Sequence, residues 1–206
     1  MYCIREDYTH REEGEYDYEQ NITDDWQGEV YVAAAEIAAS EGYTSILDVG
    51  CGRGYKMVKH FSHLKALGLD LPPTVEWLKE NYPNHTWEII DHYNPPQGYD
   101  LLICADVIEH VQEPEHLLDF IKRARPKKIV ISTPDRDVLA ERYYYWYLQR
   151  EPDWKDFNGP PFNRCHLREW SFEEFDNYIK SHLDIVKHWH ANRDHACQCI
   201  IATVRE

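Results

Sequence analysis

Basic residues are scarce in this chain. It carries 22 Lys and Arg against 37 Asp and Glu, a formal net charge of -15. A field of that sign repels a phosphate backbone at long range, which weighs against nucleic acid as the partner without abolishing a local basic patch. Long apolar runs are lacking too. No stretch approaches the roughly 18 apolar residues that a membrane span needs, and the opening MYCIREDYTHREEGEYDYEQ holds no apolar core of a secretory signal. The expectation is a cytoplasmic protein with no membrane partner. Cysteines number 6 and lie scattered, at Cys3, Cys51, Cys104, Cys165, Cys197 and Cys199. Four fall in or beside apolar segments, so free thiols are expected. Cys197 and Cys199 share one face of a strand, but two thiols alone are a weak metal signature. There is no internal repeat and no second domain in the pattern. What is present is an ordinary globular composition, 43% hydrophobic over 206 residues, enough for one domain with a substantial core.

Residues 1–25 are polar, acidic and tyrosine-rich. They read either as an irregular terminus or as a flap over a site, with Tyr8, Tyr16 and Tyr18 as aromatic surface. Asp24 or Asp25 can cap a helix running to about Ala39, where Trp26, Val30, Ala33, Ala34 and Ile37 recur at helical spacing. Apolar runs at Ser45–Val49, Lys65–Leu69, Trp87–Ile90, Asp100–Ala105 and Lys128–Ser132 predict five buried strands. Helical patterns at 53–62, from Pro72 to about Asn81, and over Glu115–Arg125 separate them. Such alternation predicts an α/β fold, a mostly parallel sheet with helices on both faces. Right-handed crossovers then gather the strand ends at one edge, where open sheets bind ligands. Leu183–His190 and Ala196–Val204 flank a turn at Asn192–Asp194 and predict an antiparallel hairpin.

Residues 134–182 form an aromatic-rich insertion that holds Tyr143, Tyr144, Tyr145, Trp146, Tyr147, Trp154, Phe157, Phe162 and Trp170. It either packs over the sheet or lines an acceptor pocket, and its place after the fifth strand favours the pocket. Ser171 with Glu173 and Glu174 marks a helix start, running to about Ser181.

The central signal is Ile46-Leu47-Asp48-Val49-Gly50-Cys51-Gly52-Arg53-Gly54. Glycines at 50, 52 and 54 let a strand turn sharply into a helix and expose amide N–H groups to a ligand. The loop lacks the Lys-Ser/Thr ending of a phosphate loop, and its third glycine comes too early for a dinucleotide fingerprint. With Asp70 and Asp91 closing the next two strands, the chain resembles the class I S-adenosylmethionine-dependent methyltransferases. The resemblance covers at least 45–132. It implies a Rossmann-like, seven-stranded sheet whose last strand is antiparallel, in agreement with the hairpin. By resemblance, Gly50, Cys51, Gly52 and Gly54 shape the loop around the methionine part of the donor. Asp48 binds its amino group or organises the loop, Asp70 accepts from the ribose diol, and Asp91 faces the adenine amine. Read from the residues alone, Asp70 and Asp91 are equally strand-end caps, and Asp48 a structural acid. An acceptor-only carboxylate suits two hydroxyls.

A second constellation begins at Asp106-Val107-Ile108-Glu109-His110. A helical turn here puts Asp106, Glu109 and His110 on one face. Asn163-Arg164-Cys165-His166-Leu167-Arg168-Glu169-Trp170 can return His166 to the same cleft. Two carboxylates and two imidazoles suit a divalent cation, Mg or Mn by the carboxylates, Fe, Co or Zn by the imidazoles. The set resembles metal-dependent methyltransferases of the terminal ribose 2′-hydroxyl of small RNAs, which implies Glu109, His110 and His166 as ligands. Asp106 stands where that group has the longer Glu. Similar Glu-His and His-x-Arg-Glu-Trp patterns occur in small-molecule relatives, where Glu109 and His110 line a metal-free pocket and Asp106 lies by the donor.

Methyl transfer is in-line displacement at an activated carbon, so the protein must align a nucleophile, take its proton and exclude water. His110 and His166, with Glu109, are the candidate catalytic residues: cation ligands in one reading, acceptor-binding groups and a base in the other. Tyr143, Trp146 and Trp170 offer stacking surface to an acceptor. Arg164 and Arg168 can pair with its carboxylate or phosphate, or bridge to acidic residues of the protein itself. The leading expectation is O-methylation of a small hydroxylated metabolite or sugar-like acceptor. RNA terminal ribose 2′-O-methylation and a noncatalytic S-adenosylmethionine-binding partner subunit are the alternatives. Oligomeric state is not legible.

Overall fold

The computed structural model describes residues 3–4, 26–143, 160–163, 165–192 and 196–205. In chain order these form β1 (Cys3–Ile4), α1 (Gly28–Glu41), β2 (Ser45–Val49), α2 (Tyr55–Phe61), β3 (Lys65–Asp70), α3 (Pro72–Asn81), β4 (Thr86–Ile89) and β5 (Leu101–Ala105). A 3₁₀ turn (Ile108–His110) follows, then α4 (Pro114–Ala124), β6 (Lys128–Pro134), α5 (Arg136–Tyr143), β7 (Arg168–Glu169), α6 (Phe172–Lys180), β8 (Leu183–Asn192) and β9 (Cys197–Val204). Seven strands make one sheet in the order β4-β3-β2-β5-β6-β9-β8. The first five pair in parallel, and β9 runs antiparallel to both β6 and β8. The order reverses between β2 and β5, so the C-terminal tips of β2 and β5 border the crevice where such sheets take ligands.

The strands read as continuous apolar runs because both faces are covered: every residue of β2 and of β5 is buried. One face packs Leu102, Ile131 and Ile200 against Phe120 of α4 and Phe175 of α6. The other packs Ile46, Ile103 and Val130 against Val30 of α1, Met57 of α2 and Leu78 of α3. Pro72 and Pro114 open their helices, as the sequence predicts. Ser171 caps α6 with a reciprocal box, its hydroxyl accepting from the Glu174 amide while the Glu174 carboxylate accepts from the Ser171 amide.

Three expectations are corrected. The N-cap of α1 is Gln27, in a left-handed conformation with φ 62, not Asp24 or Asp25, and the helix runs past Ala39 to Glu41, where Gly42 ends it. The Gln27 amide instead donates to the Ala105 carbonyl at the tip of β5, 3.2 Å away. The segment after β5 is a short 3₁₀ turn rather than the start of an α-helix. Third, part of the terminal segment is a strand: Cys3–Ile4 pair antiparallel with Arg168–Glu169 as a two-residue ribbon. The remainder of the 1–25 arm, and so the flap reading, lies outside the described residues. Among the described residues, no helix is long and apolar enough to cross a membrane.

Candidate active site

The glycine loop turns at the tip of β2. The Gly50 and Cys51 amides both donate to the Leu69 carbonyl of β3, at 2.8 and 3.1 Å, which pins the loop over the neighbouring strand. Gly50 has φ +74, and a Cβ there would meet Val107 at 2.4 Å. Gly52, at φ +54, differs: a Cβ would find nothing within 4 Å, so this turn of backbone faces open space. The Cys51 side chain points away from that space. It is 7% exposed and belongs to the core beside Trp87, so Cys51 offers a ligand its backbone only.

Of the three predicted acids, Asp48 and Asp70 stand beside the loop. Asp70 at the end of β3 accepts from the Gly52 amide at 2.7 Å and the Leu71 amide at 2.8 Å, and burial raises its pKa. Asp48 is wholly buried; its Oδ2 accepts from the Tyr31 hydroxyl at 2.9 Å. Its Oδ1 has no hydrogen-bond partner among the described residues. Burial, countered by the Tyr31 hydrogen bond, pushes the Asp48 carboxyl up to about 7. An orphaned carboxylate oxygen beside an open glycine turn fits a ligand with a cationic amino group. Asp91 is placed differently from expectation. It is exposed and lies two residues beyond β4, and its oxygens accept from the Tyr93 amide and the Asn94 side chain, both at 2.9 Å. These bonds lower its pKa and make it the cap of the following turn.

The second constellation assembles with one exception. Glu109, His110 and His166 each offer a ligand atom, and these atoms lie within 4.8 Å of one another. The imidazole rings meet edge to face, their centroids 5.2 Å apart. His110 Nδ1 lies 2.8 Å from the Cys165 carbonyl, an acceptor, so Nδ1 carries the hydrogen and Nε2 is the lone-pair nitrogen of the neutral ring. That Nε2 sits 3.8 Å from Glu109 Oε1. His166 Nδ1 lies 2.8 Å from Glu169 Oε1, which gives His166 the same tautomer. Thr133 of β6 donates to Glu109 Oε2 at 3.1 Å, and Glu109 Oε1 has no hydrogen-bond partner among the described residues. Glu109 is 1% exposed; burial first, then the Asp106 charge, raise its pKa well above the ordinary range. A buried carboxylate short of positive charge, beside two imidazoles with Nδ1 engaged, fits a divalent cation.

Asp106 does not join this group of three. It holds a left-handed φ of 53, rare for a residue other than glycine, and its Oδ1 accepts from the Ser132 hydroxyl at 2.6 Å. The shorter acid is thus fixed to β6, at the tip of β5, on the donor side.

The acceptor-side expectations fare unevenly. Trp170 is 0% exposed and packs at a tilt against Phe175 and Tyr178 in the core, so it presents no face to an acceptor. Arg168 is 4% exposed; it donates to the Gln112 carbonyl and lies over the Trp170 ring, a structural bridge rather than an anion clamp. Trp146, Arg164 and the side chain of Tyr143 lie outside the described residues. Reading the sequence missed Tyr31, Ser132, Thr133 and Glu169, which orient the site from other elements. Only Glu169 left a local trace, its spacing of three from His166.

With the geometry in hand, comparison with known proteins is informative. Residues 18–179 match the family model described as a methyltransferase domain. The chain is 30% identical over 133 residues to a ubiquinone biosynthesis O-methyltransferase of Rickettsia bellii, covering 56% of this chain and 55% of that one. A Rickettsia conorii counterpart is 28% identical over 133 residues, with 46% of its length covered. The chain thus spans about half the length of these curated relatives. Among solved structures, the magnesium protoporphyrin IX methyltransferase of Synechocystis, with bound S-adenosylhomocysteine, superposes with a TM-score of 0.65 at 15% identity, covering 94% of this chain and 90% of that one. The methyltransferase domain of a bacterial Hen1 superposes with a TM-score of 0.59 at 19% identity, covering 85% and 97%. At those identities the likeness is one of fold. The family match, the sheet order and the glycine turn agree: this chain belongs to the class I S-adenosylmethionine-dependent methyltransferases.

Proposed function

We propose that the protein transfers the methyl group to a hydroxyl oxygen of a small acceptor, with a divalent cation held by Glu109, His110 and His166. The observation that carries this reading is the cluster itself: one carboxylate and two imidazoles within 4.8 Å, both rings with Nδ1 engaged. The Rickettsia relatives are named as O-methyltransferases, which supports oxygen as the nucleophile. The net charge of -15 favours a small hydroxylated metabolite or sugar-like molecule over RNA.

S-adenosylmethionine supplies a methyl carbon already activated by its sulfonium, and a cation in this cluster would lower the pKa of a hydroxyl beside it. The protein's own groups do the rest. The Gly50–Gly54 turn opens space at the tip of β2, and the orphaned Asp48 oxygen receives the donor's ammonium. Asp70, braced by the Gly52 amide, presents its carboxylate to the ribose hydroxyls. Glu109 and the Nε2 atoms of His110 and His166 would hold the cation and so fix an acceptor hydroxyl beside the methyl carbon, which turns a bimolecular encounter into an aligned displacement. In this arrangement neither histidine has a ring nitrogen left to act as the base, so the hydroxyl gives its proton to solvent water as its oxygen takes the methyl group and the sulfur leaves as S-adenosylhomocysteine.

Turnover with hydroxylated acceptors, catechols and sugars first, tests the reading. Activity that is lost in chelator and restored by Mn²⁺ or Mg²⁺ supports it. Undiminished turnover after exhaustive chelation overturns the cation. Exclusive methylation of a terminal ribose in RNA, or donor binding with no turnover on any acceptor, overturns the acceptor class.

A further inference from the structure

Glu169 is a buried charged group beside the ligand cluster that the proposed chemistry does not use. It is 0% exposed. One oxygen accepts from the Asn163 amide at 2.9 Å and from His166 Nδ1 at 2.8 Å; the other accepts from the Phe162 amide at 2.7 Å. A buried carboxylate is costly unless donors surround it, and among the described residues three donors reach this one from two places. Two belong to the segment 160–163, within the aromatic-rich insertion. The third is the ring that offers its other nitrogen to the cluster. The backbone of Glu169 is held in turn, through its pairing with Cys3 in the β1–β7 ribbon. The Leu167 amide donates to the Glu109 carbonyl at 3.0 Å, which fastens the same strand end to the 3₁₀ turn that carries the other two ligands.

We propose that Glu169 is the positioning residue of the cation site: it fixes His166 as the Nδ1–H tautomer and couples cation binding to the fold of the 160–163 segment at the acceptor side. The inference rests on the proposed cation reading. Its physical content is simple. A neutral imidazole has one lone-pair nitrogen, and a carboxylate partner on Nδ1 decides that it is Nε2 while making that nitrogen more basic. Without the partner the ring can turn or change tautomer, and one of three ligands is lost for part of the time. The two part-buried amides that Glu169 also holds would lose this acceptor, so the 160–163 segment loosens together with the ligand.

The test compares the full chain with E169Q and E169A by three readouts: Mn²⁺ binding from the free-ion electron paramagnetic resonance signal, the ¹⁵N shifts of the His166 ring, and S-adenosylhomocysteine affinity by calorimetry. Glutamine keeps the shape but brings an NH₂ against one of the three donors and removes the charge. E169Q is therefore expected to weaken Mn²⁺ binding about tenfold, and E169A by more, within the range seen for such partners of metal ligands. His166 shifts from the Nδ1–H form toward a mixture, while S-adenosylhomocysteine binds both variants as it does the wild type. Wild-type Mn²⁺ affinity and an unchanged His166 tautomer in E169Q overturn the proposal. E169Q keeps the inference testable if E169A fails to fold. If the wild type itself binds no Mn²⁺, the cation reading fails first; the ¹⁵N shifts then still decide whether Glu169 sets the tautomer.

Discussion

Asp48→Asn should make the donor-free protein more stable at alkaline pH while impairing donor binding. Asp48 is wholly buried, has one oxygen without a partner among the described residues, and has its carboxyl pushed from 3.8 to about 7 by burial. The folded state therefore holds a proton that the unfolded chain has already lost between those two values. The unfolded state binds fewer protons there, so this group's contribution to stability declines as pH rises from about 4 to about 7 and is level above. A shift of about 3 units corresponds to a penalty of roughly 4 kcal/mol once Asp48 is fully ionised, and to roughly 3 kcal/mol near pH 6. Asparagine keeps the shape, can still accept from Tyr31, and removes the titration. Its gain over the wild type should grow by about 1 to 2 kcal/mol between pH 6 and pH 8.5, read as the difference in urea midpoints at constant m. S-adenosylhomocysteine should close the gap, because its ammonium pairs with the wild-type carboxylate and not with the amide. An advantage of the variant that is the same at both pH values would refute the reasoning. So would undiminished affinity of the variant for S-adenosylhomocysteine.

The two turn glycines should separate stability from binding. Gly50→Ala meets both a left-handed φ and Val107 at 2.4 Å, and should cost about 2 to 5 kcal/mol in thermal or urea unfolding. Gly52→Ala meets only the φ, so it should cost about 1 to 2 kcal/mol in the same assay, while S-adenosylhomocysteine calorimetry records the larger loss. Ser171→Ala removes the capping box of α6 and should lower stability by about 1 kcal/mol with donor affinity unchanged. Asp70→Asn exchanges an acceptor of the Gly52 amide for a group that also donates, and should weaken S-adenosylhomocysteine at least tenfold in calorimetry. Asp91→Asn should have a small effect in the same measurement, since that side chain is spent on its own turn.

Much of the fold is legible because its signals are local. Apolar runs at Ser45–Val49 and Leu101–Ala105 can be read as buried strands since both faces of the sheet are covered. Pro72, Pro114 and Ser171 mark helix starts by chemistry that acts within one turn. What escaped reading depends on distant partners. Cys3–Ile4 show no periodicity, and only their pairing with Arg168–Glu169 makes them a strand. Gln27 begins α1 with no side-chain cap, and its amide goes to β5 instead. In the site, residue type and spacing bring Glu109 and His110 to notice, while His166 joins them as a ligand through the resemblance. Thr133, Ser132 and Tyr31 escape notice, for hydroxyls are common and only the sheet brings them to those acids. Trp170 misleads for a related reason: an aromatic in a polar insertion looks like ligand surface until the helix beside it buries the ring.

Anomalous diffraction from crystals grown with Mn²⁺ and S-adenosylhomocysteine tests the account most directly. It requires a manganese peak coordinated by Glu109, His110 and His166, with the homocysteine amine at Asp48 and the ribose at Asp70. A peak elsewhere or none, with the nucleoside product bound away from the Gly50–Gly54 turn, would contradict it.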